Sequence, residues 1–579
     1  MVNPANQRLM MQHVHDKIAD LLRDIGVEGE IQLTVPPNPE LGDVAFACFN
    51  LSKQLQKSPA AVAQDLMNKL EAHHFERYPL VQDAATAGPY LNFFIKTSEL
   101  AKLVLTGIAE QGEAYGHTAV GAGKKVLIEY PSENTHKEFH IGHLRNVCIG
   151  NTLVQLYRAS GYDLTAINYI NDFGAHVVKC LWGLRKFHAG VEPPANPQRW
   201  LGVVYAEASK YIKEHEVEVK PELDELQKKL EARDPEIWPL FETTRAWSLE
   251  GFKKIDTELG ISYTRIFLES EVKDRGQQLV DELLQKGVAT VGEKGAIIID
   301  LTPYDLDIAM VRKSTGAGVY LTSDLALAEK KFQEFPVDES INITGIEQNF
   351  YFKQLFKALE LSGFQKKMTH IGYGLVNRPD GKMSSRLGNV ILYDELRDEI
   401  AHRLWEASAA RHADWPQEKL TALVKTLTLS VLKFSMQQHE AAKNITFDLE
   451  QATNFEGYSA PYVLYVVARI NSLFKKAGHG RGLMVVDYDL LIEKEEKQLL
   501  LVLADFPTVL QKALNHHNPA VISKYSFDLA KTFNDWYANQ LIVDVEAELQ
   551  SARLALASAA QTVLTAALGL LTITTVDEM

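Results

Sequence analysis

The chain has 579 residues, too many for one compact core, so several domains are expected. Its 46% apolar and 23% charged content excludes disordered and fibrous classes. A net charge of -15 argues against a generally basic nucleic-acid coat, although local Lys/Arg placement, not the total, sets nucleic-acid affinity. Cys48, Cys148 and Cys180 show no CxxC or Cys/His ligand spacing. That excludes a disulfide framework and a structural zinc, and it suits a reducing cytoplasm. Met1-Val2-Asn3-Pro4 leads into polar residues without an apolar signal core, so no membrane partner is expected.

In chain order, residues 1–115 read as a separate α+β module. It opens with an amphipathic helix around Leu9 to Leu22, then a turn-rich loop at Asn38-Pro39-Glu40-Leu41-Gly42-Asp43. A helix from about Ala60 to Leu70 and an apolar strand at Tyr90 to Ile95 follow, and Gly116 to Gly123 reads as a linker. The run Lys125-Val126-Leu127-Ile128-Glu129-Tyr130 is a buried strand by composition. A polar loop, a helix after His140 and a strand from Leu164 to Ile170 complete a βαβ unit, which implies a parallel sheet. Strands resume at Ile341 to Thr344 and Thr369 to Gly372, so residues 116–395 form a doubly wound α/β domain. Between them, about 190–260 is a charged insertion expected as surface helices. Residues 396–579 read as all-α, with long helices at Gln417 to Gln438, Ala460 to Ala477 and Ile522 to Leu554. Leu554 to Val576 lacks charge over a membrane-spanning length. Ser558, Gln561, Thr562, Thr565 and Thr572 interrupt it, so a buried helix and an extended tail are expected.

His140-Ile141-Gly142-His143 stands where the first loop becomes a helix. Unpaired N–H groups, the helix dipole and a glycine favour a phosphate there, and two imidazoles can donate to phosphoryl oxygens. Alone, the motif is compatible with two ordinary helix-start histidines. Lys382-Met383-Ser384-Ser385-Arg386, on a loop entered through Pro379-Asp380-Gly381, suits a clamp on leaving pyrophosphate. In this order, on a doubly wound sheet, the two motifs resemble those of class I aminoacyl-tRNA synthetases.

The stretch Ile128 to Arg145, Tyr320-Leu321-Thr322-Ser323-Asp324 and Glu347 to Leu355 resemble the arginyl-tRNA synthetase family. So do Asn38 to Asp43, Gly88 to Phe93, Gly457 to Tyr465 and the terminal Met579, which spreads the resemblance over the whole chain. It implies a Rossmann-like catalytic domain, an N-terminal domain that meets the tRNA elbow, and a helical anticodon-binding domain. It implies ATP, with Mg²⁺ accompanying it, L-arginine and arginine tRNA as partners, and a monomer. ATP would meet His140, Gly142, His143, Gly345, Met383 and Ser384. Catalysis would rest on His140, His143, Lys137 and Lys382. Lys137 occupies the place, ahead of the histidine motif, where arginyl enzymes carry a lysine lost from the late loop, here Ser385.

Glu129, Asn134, Tyr320, Asp324 and Gln348 match the arginine pocket. A guanidinium wants a carboxylate that accepts paired N–H bonds, and Asp324 with Tyr320 one turn earlier suits it; which acid meets which end of arginine stays open. Asn92, Tyr462, Tyr465, Arg469, Phe533, Tyr537 and Met579 match positions that meet tRNA. Tyr462, Tyr465 and Arg469 are expected on one helix face, ready to stack on unpaired bases. Ser132-Glu133-Asn134 departs from the usual Ser-Pro-Asn, and Asp172-Phe173-Gly174 from Asp-Trp-Gly. A non-catalytic RNA-binding relative would not need His140, His143, Lys382 and Asp324 together. A different nucleotidyl-transferring enzyme would not need the Tyr320/Asp324 pair beside an anticodon-like domain.

Overall fold

The computed structural model describes residues 10–377, 391–478 and 486–579. Lys382, Met383, Ser384, Ser385 and Arg386 lie outside the described residues. In the N-terminal module, the helix Met10–Asp24 buries Met11, Val14, Ile18, Leu21 and Leu22, the periodicity of one apolar stripe. Leu33–Thr34, Val44–Ala47, Tyr90–Ile95 and Val81–Ala87 form an antiparallel sheet in that spatial order. A short helix at Phe49–Leu55, passed over in the sequence, precedes the expected one at Pro59–Lys69.

The central domain is built on a five-stranded, all-parallel sheet. Strand β1 (Lys125–Glu129) leads to helix α1 (Ile141–Ala159) and returns through β2 (Asp163–Ile170). The chain then leaves for the insertion, which includes α2 (Pro197–Glu214) and α3 (Trp238–Leu259). It re-enters at β3 (Arg265–Leu268) and α4 (Glu269–Gln285), and continues through α5 (Tyr320–Glu334), β4 (Glu339–Gly345) and β5 (Lys367–Tyr373). The strand order is β5-β4-β1-β2-β3. Winding therefore reverses between β1 and β4, and the crevice beyond their carboxyl ends is where such sheets bind ligands.

The insertion differs from the expectation of surface helices. Its Leu201, Val204, Val219, Leu230 and Phe241 join Val177, Leu181 and Trp182 of the preceding helix Ala175–Phe187 in a separate hydrophobic core, because each helix hides an apolar stripe behind its charged face. Three antiparallel strands, Thr290–Val291, Ile297–Asp300 and Ile308–Arg312, also went unread. In the C-terminal part, α6 (Ala460–Ala477) agrees with expectation, whereas α7 (Lys494–Asn515) was passed over. The stretch Ile522 to Leu554 is not one helix. It divides into α8 (Ala520–Asn539) and α9 (Ala547–Leu570), separated by an irregular segment at 540–546. A two-residue strand, Ile445–Thr446, pairs with Val376–Asn377 where none was expected.

Among the described residues α9 alone is long and apolar enough to cross a membrane. Its Leu554, Leu556, Val563, Leu564 and Leu568 are buried against neighbouring helices, which makes it a core helix here. The N-terminal module docks on α7: Lys497 Nζ lies 2.6 Å from Asp43, and Tyr115 donates to the Leu503 carbonyl at 3.1 Å.

Candidate active site

The phosphate-type end of the crevice is built by backbone first. His140 is the N-cap of α1, and its Nδ1 accepts the N–H groups of Gly142 at 3.1 Å and His143 at 3.4 Å. In return His143 Nδ1 accepts the His140 N–H at 3.3 Å, a reciprocal capping box made by two imidazoles. The rings stack with centroids 3.8 Å apart. Gly142 makes this possible, since a Cβ there would lie 2.9 Å from His140 Cε1. Burial first, then Lys137, brings the His140 pKa down to about 4, and burial takes His143 well below the usual range. Both rings are therefore neutral near pH 7. With Nδ1 accepting, each proton sits on Nε2, which is the arrangement of a neutral hydrogen-bond donor.

The other end is acidic. Glu129, at the end of β1, is buried and pairs with Lys331 Nζ at 2.7 Å. Removing one partner of such a pair costs about 3–5 kcal/mol, so Glu129 and Lys331 are set as a unit. Asp324 lies one turn into α5, after Tyr320, and accepts from the Tyr351 hydroxyl. Glu269 opens α4; its carboxylate accepts from Ser323 Oγ at 3.2 Å, while its Oε2 is buried with no hydrogen-bond partner. Burial first, then Asp324, pushes Glu269 up to about 8, and burial raises Asp324 to about 7 despite the Tyr351 bond. Two neighbouring buried acids that are hard to ionise together form an acidic pocket in which a cationic group would be favoured. Tyr320 opens α5 and is 65% exposed as a whole. Its hydroxyl end is crowded, so burial, then Glu269, Tyr205 and Asp324, raise its pKa.

Glu269 and Lys331 were missed in the sequence. Glu269 looks like an ordinary acid at a helix start. Lys331 could have been suspected, since it sits in the same helix as the apolar Leu325-Ala326-Leu327-Ala328 run. Asp172, from the departing Asp-Phe-Gly, fixes the start of α4 by accepting from Ser270 N at 2.8 Å and Ser270 Oγ at 2.7 Å. It also pairs with Arg245 of α3 at 3.1 Å.

The remaining expected residues follow the carboxyl ends of β1 and β4. Asn134 bridges to Asn171 beside β2. Gly345 closes β4 with the Glu347 carboxylate folded over it, and Gln348 is exposed just beyond. Glu133, in place of proline, is fully buried and accepts from Asn168 Nδ2 at 2.8 Å, which ties its loop to β2.

A family model described as the catalytic domain of class I (R) tRNA synthetases matches residues 105–449. Models for the arginyl-tRNA synthetase N-terminal domain and the DALR anticodon-binding domain match 11–95 and 463–579. An arginine–tRNA ligase of Treponema pallidum is 32% identical over 586 residues, covering 98% of this chain and 99% of its own. That of Clostridium perfringens is 33% identical, covering 94% and 96%. The chain belongs to the arginine–tRNA ligase family. Its fold is also that of the solved Thermus thermophilus arginyl-tRNA synthetase, with a TM-score of 0.79 at 24% identity, covering 98% of this chain and all of that one. As a family member it is an ATP-using class I aminoacyl-tRNA synthetase.

In the part matched by the family's anticodon-binding domain, Arg469 lies 4.8 Å from the ring centres of both Tyr465 and Tyr537. Both tyrosines are 38% exposed, so the three residues form an outward-facing aromatic and cationic stack. Tyr462 turns aside from it: its hydroxyl accepts from Asn534 at 3.0 Å and its ring packs on Phe527. Phe533 is 1% exposed and supports Tyr537 from beneath. Met579 is half-buried against the helical core. In the N-terminal module Asn92 is 2% exposed, which puts it under Gly42 and away from the surface. Asn92 and Phe533 are thus interior residues: Asn92, on the face opposite Leu91, Phe93 and Ile95, is covered at Gly42, and helix packing turns Phe533 inward.

Proposed function

We propose that the chain activates L-arginine with ATP and transfers it to arginine tRNA. An arginine carboxylate oxygen attacks the ATP α-phosphorus, the bond to pyrophosphate breaks, and arginyl-adenylate forms. The 2′-hydroxyl of the terminal tRNA adenosine then attacks the arginyl carbonyl, and AMP leaves. One observation carries this reading: Asp324 and Glu269, two mutually repelling buried acids, stand in the same crevice as two neutral imidazole donors. A guanidinium supplies the offsetting positive charge together with paired N–H donors. Tyr320 would border it, while Glu129, Asn134 and Gln348 would hold the α-amino group and carboxylate.

ATP phosphates would meet the His140 and His143 Nε2–H groups at the positive end of the α1 dipole, with Gly142 allowing close approach. Lys137 and Lys382 would approach from opposite sides, and Gly345, Met383 and Ser384 would hold the nucleotide. Among the described residues no group of three or more His, Cys, Asp or Glu is placed to hold a metal. Mg²⁺ is proposed as a companion of ATP, carried by phosphate and water oxygens, and no step is derived from it. Domain limits of 1–115, 116–395 and 396–579, a monomeric state and a cytoplasmic location complete the proposal. The Tyr465–Arg469–Tyr537 stack would meet the anticodon loop.

The test is aminoacylation with each of the standard amino acids, with and without arginine tRNA. Arginine is expected to be charged in preference to all others and only onto its own tRNA. Preferred charging of another amino acid would overturn the reading.

A further inference from the structure

Residues 136–138 lead into the histidine motif, and each is gripped by the helical insertion. His136 is fully buried; its backbone N–H donates to Ser248 Oγ at 3.0 Å, and its Nε2 pairs with Thr244 Oγ1 at 2.8 Å. Both partners belong to α3. The Thr244 hydroxyl donates to the Leu240 carbonyl at 2.8 Å, so the imidazole supplies the N–H in that pair. Gln198 of α2 donates to the Lys137 carbonyl at 3.2 Å. Glu138 packs so closely on Gly202 of α2 that a Cβ there would come within 2.0 Å of its Cγ. A third residue of α2, Tyr205, holds its ring 5.2 Å from the Lys137 ammonium, within cation–π range. The same Tyr205 stands near enough to Tyr320 to act on its hydroxyl.

We propose that the insertion is the device that positions Lys137, and that Tyr205 is the residue that aims its ammonium, linking the pocket at Tyr320 to the phosphate end. This rests on the reading of Lys137 as a phosphate-facing cation. Tyr205 is a positioning residue: it acts through Lys137. A long, flexible lysine on a loop would otherwise sample many rotamers, and rate enhancement from a charge depends on its being already in place. The two grips divide the work. His136 and Gln198 fix the backbone of the loop, and the Tyr205 ring fixes the side chain.

The experiment uses the full chain and tRNA-dependent ATP–pyrophosphate exchange, with Tyr205→Leu, Tyr205→Phe, Lys137→Ala and the Tyr205→Leu/Lys137→Ala double variant. Tyr205→Leu is expected to lower kcat roughly five- to thirtyfold. KM for arginine should move by about twofold or less. Tyr205→Phe keeps the aromatic face and should recover most of the lost rate. In the Lys137→Ala background, Tyr205→Leu should cost nothing further, which is non-additivity of two residues acting as one. Tyr205→Met, whose longer, unbranched side chain adapts to the space the ring leaves, carries the same comparison if Tyr205→Leu lowers the melting temperature. Equal losses in both backgrounds, or a Tyr205→Phe variant as slow as Tyr205→Leu, would overturn the inference. Lys137→Ala with undiminished turnover would instead overturn the reading of Lys137 on which it rests.

Discussion

The two ends of the crevice solve their chemical problems in opposite ways. At the start of α1 the chain satisfies itself: two imidazoles cap each other's backbone N–H groups and stay neutral. At the starts of α4 and α5 the chain leaves a debt of charge, two buried acids with one carboxylate oxygen unpaired. The first end needs only to offer N–H donors to an anion already rich in solvation, so a self-contained, preorganised frame is enough. On the proposed reading the second tells a guanidinium from other side chains, because a neutral occupant would leave the buried carboxylate unpaired. Preorganisation at one end and deliberate incompleteness at the other are complementary designs in a single site.

Three measurements can break or sharpen that contrast. The largest effect is expected for Asp324→Asn, which keeps shape but removes the charge: kcat/KM for arginine should fall roughly 10³-fold in aminoacylation kinetics. A variant that still charged arginine efficiently would show that the acidic end does not select the substrate. His140→Ala should lower kcat for pyrophosphate exchange by roughly 10²-fold and leave arginine affinity, read by calorimetry, near that of the unaltered chain. A loss confined to arginine binding would mean the two ends are not separable. The smallest effect is on pH. Asp324 and Glu269 have pKa values raised to about 7 and about 8, so both hold protons that unfolded or arginine-bound carboxylates release. Release of the Asp324 proton alone should therefore strengthen arginine affinity roughly tenfold between about pH 6 and 8, visible as proton release across buffers of different ionisation enthalpy. By the same sign, the arginine-free protein should lose stability as pH rises from the ordinary carboxylate range toward 8, and arginine should restore it. Affinity that weakens with rising pH would contradict the acidic-pocket reading.

The phosphate end was legible in the sequence because it is local: strand, loop, N-cap and helix follow one another from Lys125 to Ala159. Asp324 was legible through its flanking Tyr320-Leu321-Thr322-Ser323. Glu269 and Lys331 were not, since the sheet order alone brings β3, α4 and α5 beside the end of β1. The insertion's charged surface concealed Phe241 and its neighbours, whose core is visible only when its helices meet. The division between α8 and α9 falls at Leu541-Ile542-Val543-Asp544, an apolar run that passes for helix interior until Ile542 and Val543 are seen buried in irregular backbone. Phe533 and Asn92 show the reverse limit: residue type and spacing place them on the right element but cannot say which face it turns inward.

The contact between Asp43 and Lys497 bears on how the chain is made. Asp43 also accepts the Ile95 backbone N–H at 2.7 Å, so one carboxylate stitches its own sheet and receives a lysine from α7. The N-terminal module leaves the ribosome first and can close its sheet at once, but its docking partner is synthesised near the end of translation. For most of that interval the side chains that later cover α7, Tyr115 among them, face solvent or a chaperone. The docking thus joins two parts of the molecule that translation produces well apart in time.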